Sequence, residues 1–162
     1  MKKQLTRARR AALNAAAEAA YDRGDFGRAV ALCRRLAAGG EAQAWTRLGC
    51  CYELGLGVAP NEARARRCWQ RGAARGDTVA AYCLASHHEG RSHWGRARRW
   101  YERAARAGDG DAQSDLARLL INPAAGWLDY GRAVYWFDRA AAQGDRAAAA
   151  ARELLRARGL GE

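Results

Sequence analysis

Proline is almost missing from this sequence: Pro60 and Pro123 are the two examples in 162 residues, beside two phenylalanines and one methionine. β-Branched residues are sparse as well, while alanine is abundant. This poverty of helix breakers and strand formers excludes an all-β protein and favours an all-helical one. Long hydrophobic runs are also lacking, and no window approaches the ~20 apolar residues of a membrane span. The opening stretch "MKKQLTRARRAALNAAAEAAYDRGDF" is basic, but Glu18 and Asp22 interrupt its alanines, so no secretory signal core is expected. The expectation is a soluble cytoplasmic protein. Serine is limited to Ser86, Ser92 and Ser114, none in a G-x-S-x-G setting, and no glycine-rich phosphate loop occurs. The five cysteines are odd in number and contain no C-x-x-C pair, which fits reduced, buried thiols rather than a disulfide framework.

Lysine is confined to Lys2 and Lys3, so arginine supplies nearly all of the 28 basic residues and hence the net charge of +11. Such a balance admits nucleic acid, an anionic membrane surface or acidic proteins as partners. An arginine-for-lysine bias alongside abundant alanine and glycine is also the composition that a GC-rich genome imposes.

What is present is a repeat. "AVALCRRLAAGGE" from Ala29 is followed by "ARRCWQRGAARGD" from Ala65, "ARRWYERAARAGD" from Ala97 and "AVYWFDRAAAQGD" from Ala133. Upstream of the later copies, Ala44, Leu48, Gly49 and Tyr52 align with Ala80, Leu84, Ala85 and His88, then with Ala112, Leu116, Ala117 and Leu120. A weaker first copy is Leu13, Ala17, Glu18 and Tyr21. Steps of four, one and three form a single apolar stripe on a helix, and the small residue beside each leucine lets a second helix approach. Each unit therefore reads as helix, turn, helix. Asp25, Asn61, His93 and Asp129 occupy the N-cap position of the second helix, with Ser92 a substitute for His93. Gly40, Gly76, Gly108 and Gly144 fall where a helix ends in the left-handed conformation, and Asp77, Asp109 and Asp145 then cap the next helix. The "GLGVAP" break is a turn inside a unit, with Val58 folding back as an apolar plug.

These residues resemble the Sel-one-like repeat family, a relative of tetratricopeptide repeats. Ala44, Leu48, Gly49, Tyr52, Gly55, Gly57, Val58, Ala65, Trp69, Arg71, Ala73 and Gly76 follow its pattern. Arginine stands for the family's lysine at Arg71, Arg103 and Arg139, and the unit from 78 to 108 lacks four loop residues and the G-x-G-V signature. The resemblance implies a right-handed α-solenoid of about four antiparallel helix pairs plus a C-terminal capping helix. Its units are about 13–40, 41–76, 77–108 and 109–144, with the cap at 145–160 and a basic arm at 1–12. Sequences of this kind resemble scaffolds and adaptors in bacterial and eukaryotic assemblies, which implies a non-catalytic protein-binding role. The concave offsets carried over from the resemblance are Arg23, Gln43, Thr46, Glu53, Tyr82, Ser86, Glu89, Ser114, Arg118 and Asn122. A protein partner is expected there, and self-association is a further possibility.

Cys83 and His87 stand four apart, with His88 and His93 nearby, but His88 takes the family's tyrosine position and His93 a cap, so no metal or other cofactor is expected. Trp69, Trp100 and Trp136 lie on the repeat stripe and read as core. Trp94, Tyr130 and Phe26 read as turn pins, and Trp45 and Trp127 as the more exposed aromatics. The arginine surplus falls on second helices, where a solvated face is the plain reading. The alternative is an electrostatic surface for nucleic acid or anionic lipid that includes Arg66, Arg67, Arg98 and Arg99, although no aromatics alternate with these arginines in the way that stacks bases. That alternative predicts nucleic-acid affinity falling steeply with salt, with a slope that shrinks in proportion to the phosphate contacts removed when the four are neutralised. Filter binding at graded salt measures it.

Overall fold

The computed structural model describes residues 6–161. Among them are nine α-helices, one short 3-10 helix and no strand. The helices alternate as pairs: α1 (Arg7–Asp22) with α2 (Phe26–Ala38), α3 (Ala42–Leu54) with α4 (Glu62–Ala74), α5 (Thr78–Glu89) with α6 (Trp94–Arg106), and α7 (Gly110–Leu120) with α8 (Tyr130–Ala142). α9 (Arg146–Ala157) closes the series, and the 3-10 turn Pro123–Ala125 lies between α7 and α8. This is the all-α architecture that the repeats imply. α1 starts at Arg7, where Thr6 accepts a hydrogen bond from the Arg9 amide, so Arg7 to Ala12 of the basic segment are helical. Lys2 and Lys3 lie outside the described residues. The chain forms two compact units, one running to Ala80 and the other beginning at Ala81.

The helix boundaries follow from side-chain chemistry. Asp25, Asn61 and Asp129 accept the amide hydrogens of Arg28, Arg64 and Arg132 at 3.1, 2.9 and 3.0 Å, each satisfying one orphan donor of a first turn. The third pair departs from expectation. His93 makes no capping bond with its side chain, and Ser92 does not replace it, because Ser92 itself is left-handed at φ 57°. With no loop residues to spare between α5 and α6, the turn forces a non-glycine residue into a conformation where the other turns use glycine. At the far ends, Gly40, Gly76, Gly108 and Gly144 have φ between 88° and 98°. Asp109 and Asp145 then cap α7 and α9 through Ala112 and Ala148.

In the first unit, Leu13, Ala17, Val30, Cys33, Leu36, Leu48 and Cys51 form a continuous core, with Leu56 and Val58 of the α3–α4 turn packed against it. In the second unit, Leu84, Leu116, Leu119, Leu120 and Phe137 are fully buried. One core assignment changes. Four places after the anchor alanines of the repeat (Ala29, Ala65, Ala97 and Ala133) the residue is deeply buried: Cys33, Trp69, Tyr101 and Phe137 are all at most 2% exposed. Trp100, three places on, is half-buried, so in the third pair Tyr101 takes the core position expected of the tryptophan. Trp136 is buried in addition to Phe137.

Two glycines explain why the family pattern needs them. Gly49 has the Trp69 indole directly over it, and a Cβ there would come within 2.2 Å of the ring nitrogen. Gly57 combines φ 66° with a backbone-to-backbone approach, since its Cβ would lie 2.4 Å from the Phe26 carbonyl carbon. The G-x-G-V turn is thus seated on the start of α2. Gly76 is left-handed but has open space around it. Gly57→Ala should therefore destabilise the fold by roughly 3 kcal/mol, combining overpacking with backbone strain, whereas Gly76→Ala should cost about 1 kcal/mol from strain alone. Urea titrations of the two variants check the difference.

Candidate functional site

The second unit holds a polar cluster on its first helices. Tyr82 on α5 donates to Asp115 on α7 at 2.9 Å, and Arg118 pairs with the other oxygen of the same carboxylate. Tyr101, buried on α6, donates to Glu89 at 2.6 Å and sits edge-on to Tyr82 at 5.8 Å between centroids. Burial first, and then the neighbouring carboxylate, pushes the hydroxyl pKa of both tyrosines well above the ordinary tyrosine range, so both remain donors. Three of the expected partner-binding residues, Tyr82, Glu89 and Arg118, thus belong to one ordered network, with Ser86 exposed on α5.

Other residues of that expected set have structural duties. Thr46 is 6% exposed and donates its hydroxyl to Asp77. Ser114 lies two places after Ala112, as Thr46 does after Ala44, and bonds to Asp145, the equivalent aspartate of the next Gly-Asp. Hydrogen bonds from the Ala148 amide and then from Ser114 hold the Asp145 carboxyl below its usual pKa. The same hydroxyl-to-aspartate link therefore occurs once in each of the two compact units, joining the first helix of one repeat to the cap of the next. Asn122 caps the 3-10 turn through the Ala124 amide. Arg23, Gln43 and Glu53 are exposed in the first unit. Sequence reasoning missed Gln113, which is 1% exposed and donates to the Ala105 carbonyl while accepting from Gln143. Gln113 stands among Asp111, Ser114 and Asp115, so nothing in the local sequence singles it out as the buried one.

The arginines on second helices are not detached from aromatics. Arg71 lies over the Trp45 ring at 4.7 Å, Arg64 over Tyr52 at 5.6 Å, Arg98 over Trp127 at 4.6 Å and Arg103 over Trp100 at 5.5 Å. The Arg71, Arg64 and Arg98 pairs are formed between different elements, so the linear sequence hides them, whereas Arg103 and Trp100 stand three apart on α6. They also explain why Trp45 and Trp127 are half-buried rather than exposed. Of the four arginines of the electrostatic reading, Arg66 is half-buried and Arg67 exposed on α4. Arg98 is half-buried and ion-paired to Glu102, and Arg99 is exposed on α6. In the first unit a pocket of about 320 Å³ opens between α2, α3 and α4, with Arg34, Arg64, Arg67 and Arg71 around Trp45 and Tyr52.

The Sel1 repeat family matches residues 42–77, 95–109 and 110–145, more than half of the chain. The chain belongs to the Sel1 repeat family. It is similar to a Sel1 repeat protein from Oxalobacter formigenes, at 25% identity and a TM-score of 0.79 over 90% of this chain and 61% of that one. It is also similar to a protective antigen present in uropathogenic Escherichia coli strains that displays an SLR fold. There the identity is 25% and the TM-score 0.78, over 94% of this chain and 34% of the antigen. This Sel1 repeat chain thus spans between a third and two thirds of those structures. No curated protein matches it in sequence. The matched stretches omit α1, α2, α5 and α9. Sel1 repeats are generally protein-interaction scaffolds and typically non-catalytic.

No helix among the described residues is long and apolar enough to cross a membrane. Burial pushes the Cys33 thiol up to about 11 and raises Cys51 and Cys68 as well, away from the thiolate state that nucleophilic chemistry uses. Tyr21 also rises well above its ordinary range, through burial first and then its bond with Cys51. His87 and His88 are buried and meet edge-on at 5.5 Å, and His93 lies 6.0 Å from His88. For the three tyrosines Tyr21, Tyr82 and Tyr101, a raised folded-state pKa means that their contribution to stability is complete below the unfolded value near 10 and declines above it. Their ionisation, followed by absorbance at 295 nm, should therefore coincide with loss of helical circular dichroism instead of preceding it.

Proposed function

We propose that this Sel1 repeat chain is a non-catalytic adaptor that holds a segment of a partner protein on its first helices, with the Tyr82–Asp115–Arg118 cluster of the second unit as the anchor. The observation that carries this reading is the cluster itself. Tyrosine and arginine are the side chains that most often dominate binding energy, and here both are already fixed by a shared carboxylate. Little side-chain entropy remains to be lost by the half-buried Tyr82 when a partner docks. Exposed Ser86 on α5 gives the same surface an adaptable polar contact. A reducing, cytoplasmic setting suits the five thiols, none of which is disulfide-bonded.

The electrostatic reading has less support. Arg98 already has the Glu102 carboxylate as an ionic partner, which a phosphate would have to displace. With a photo-reactive phenylalanine analogue at Ser86, crosslinking in source cells should give a discrete protein adduct. Tyr82→Ala with Arg118→Glu should remove that adduct while helicity and cooperative melting persist. An undiminished adduct in the double variant would remove this surface from the binding reading.

A further inference from the structure

We infer that the α2–α3–α4 pocket of the first unit is a separate docking site for an acidic segment of a partner protein, one apolar side chain flanked by aspartate or glutamate. The described residues lining the pocket include four arginines and no carboxylate, so the surface is electrostatically complementary to an anion and has no internal one. Beneath the arginines the lining is apolar: Ala37, Leu48 and Cys68 are all buried. At about 320 Å³ the pocket is at the small end of ligand sites, suited to one side chain and its immediate neighbours.

The guanidinium groups are also held in place. Arg34 donates to the Tyr52 hydroxyl at 3.1 Å, Arg64 lies over the same tyrosine, and Arg71 and Arg75 lie over Trp45 at 4.7 and 5.9 Å. A guanidinium stacked by its face keeps its in-plane N–H donors for a carboxylate fork. The Trp45 indole nitrogen is buried without a hydrogen-bond partner, leaving one more donor unsatisfied beside the pocket. This arrangement favours a peptide over a nucleic acid. A base would need the ring faces that the guanidinium groups already cover, whereas a carboxylate needs only the arginine edges. The site lies wholly within the first unit and does not depend on the Tyr82 cluster, so either reading can fail without the other.

The test is an NMR titration of the isotope-labelled full chain with a capped Glu-Asp-Leu-Asp-Glu peptide. Its Gln-Asn-Leu-Asn-Gln isostere and an oligothymidylate of equal charge are the comparison probes. The acidic peptide should shift the Trp45 indole N–H saturably, the isostere should not, and Arg34→Glu with Arg67→Glu should weaken binding at least tenfold. Unchanged shifts of the first-unit core residues Leu13, Ala17 and Val30, which do not line the pocket, verify that the variant is folded, and Arg71→Lys, a milder change that loses the stacked fork but keeps the charge, should weaken binding less than the charge reversal. No saturable shift at Trp45, an equal response to the isostere, affinity unaffected by the charge reversal, or tighter binding of the oligothymidylate would each overturn the assignment.

Discussion

The fold depends on how closely two helices of a repeat can approach, and that distance is set by what has no side chain. Gly49 lets the Trp69 indole lie on the backbone of α3, so the largest side chain of α4 is buried against the smallest residue of its partner. Ala85 and Ala117 occupy the corresponding places in the second unit, both completely buried. Where the small residue is alanine, the opposing core position holds Tyr101 or Phe137 instead of tryptophan. The volume is conserved across the pair even though neither member is, as close packing requires.

The hydroxyl-to-aspartate link supplies the polar counterpart. Thr46 to Asp77 and Ser114 to Asp145 each turn a helix cap into a tie between repeats. The aspartate that begins a helix is therefore also tied to the first helix of the preceding repeat. Gln113 extends the principle by bonding to the end of α6 and to Gln143 at the end of α8. Buried polar groups with complete partners fix register in a way that interchangeable alanines cannot. They are scarce here, which is consistent with a core built mainly from small apolar contacts.

Much of this was legible in the residue order. The anchor alanines, the Asp and Asn caps and the Gly-Asp boundaries are local signals, and each formed as its chemistry requires. The third pair was harder to read because its shortened turn moves the burden to Ser92, and no sequence rule favours serine at positive φ. Trp100 and Tyr101 are adjacent and both aromatic, so a stripe drawn three or four residues wide admits either; only the helix's actual rotation selects Tyr101. Thr46 and Ser114 sat at positions that read as a binding surface, yet their partners lie about thirty residues away, beyond any local pattern. The pairing of arginines with aromatics had the same cause. Arg71 and Trp45, or Arg98 and Trp127, are neighbours only once separate helices are assembled.

The stacked arginines have one more consequence. A guanidinium does not lose its proton at any pH a protein survives, and it offers no primary amine. Because every described basic residue other than the three histidines is arginine, the positive charge of the repeats is a constant of the molecule. Lysine acetylation, the usual chemical dimmer of basic surfaces, has nothing to act on between Thr6 and Gly161. Control over an anionic partner would therefore have to be exerted on the partner's side, where carboxylates can be protonated or phosphate groups added and removed.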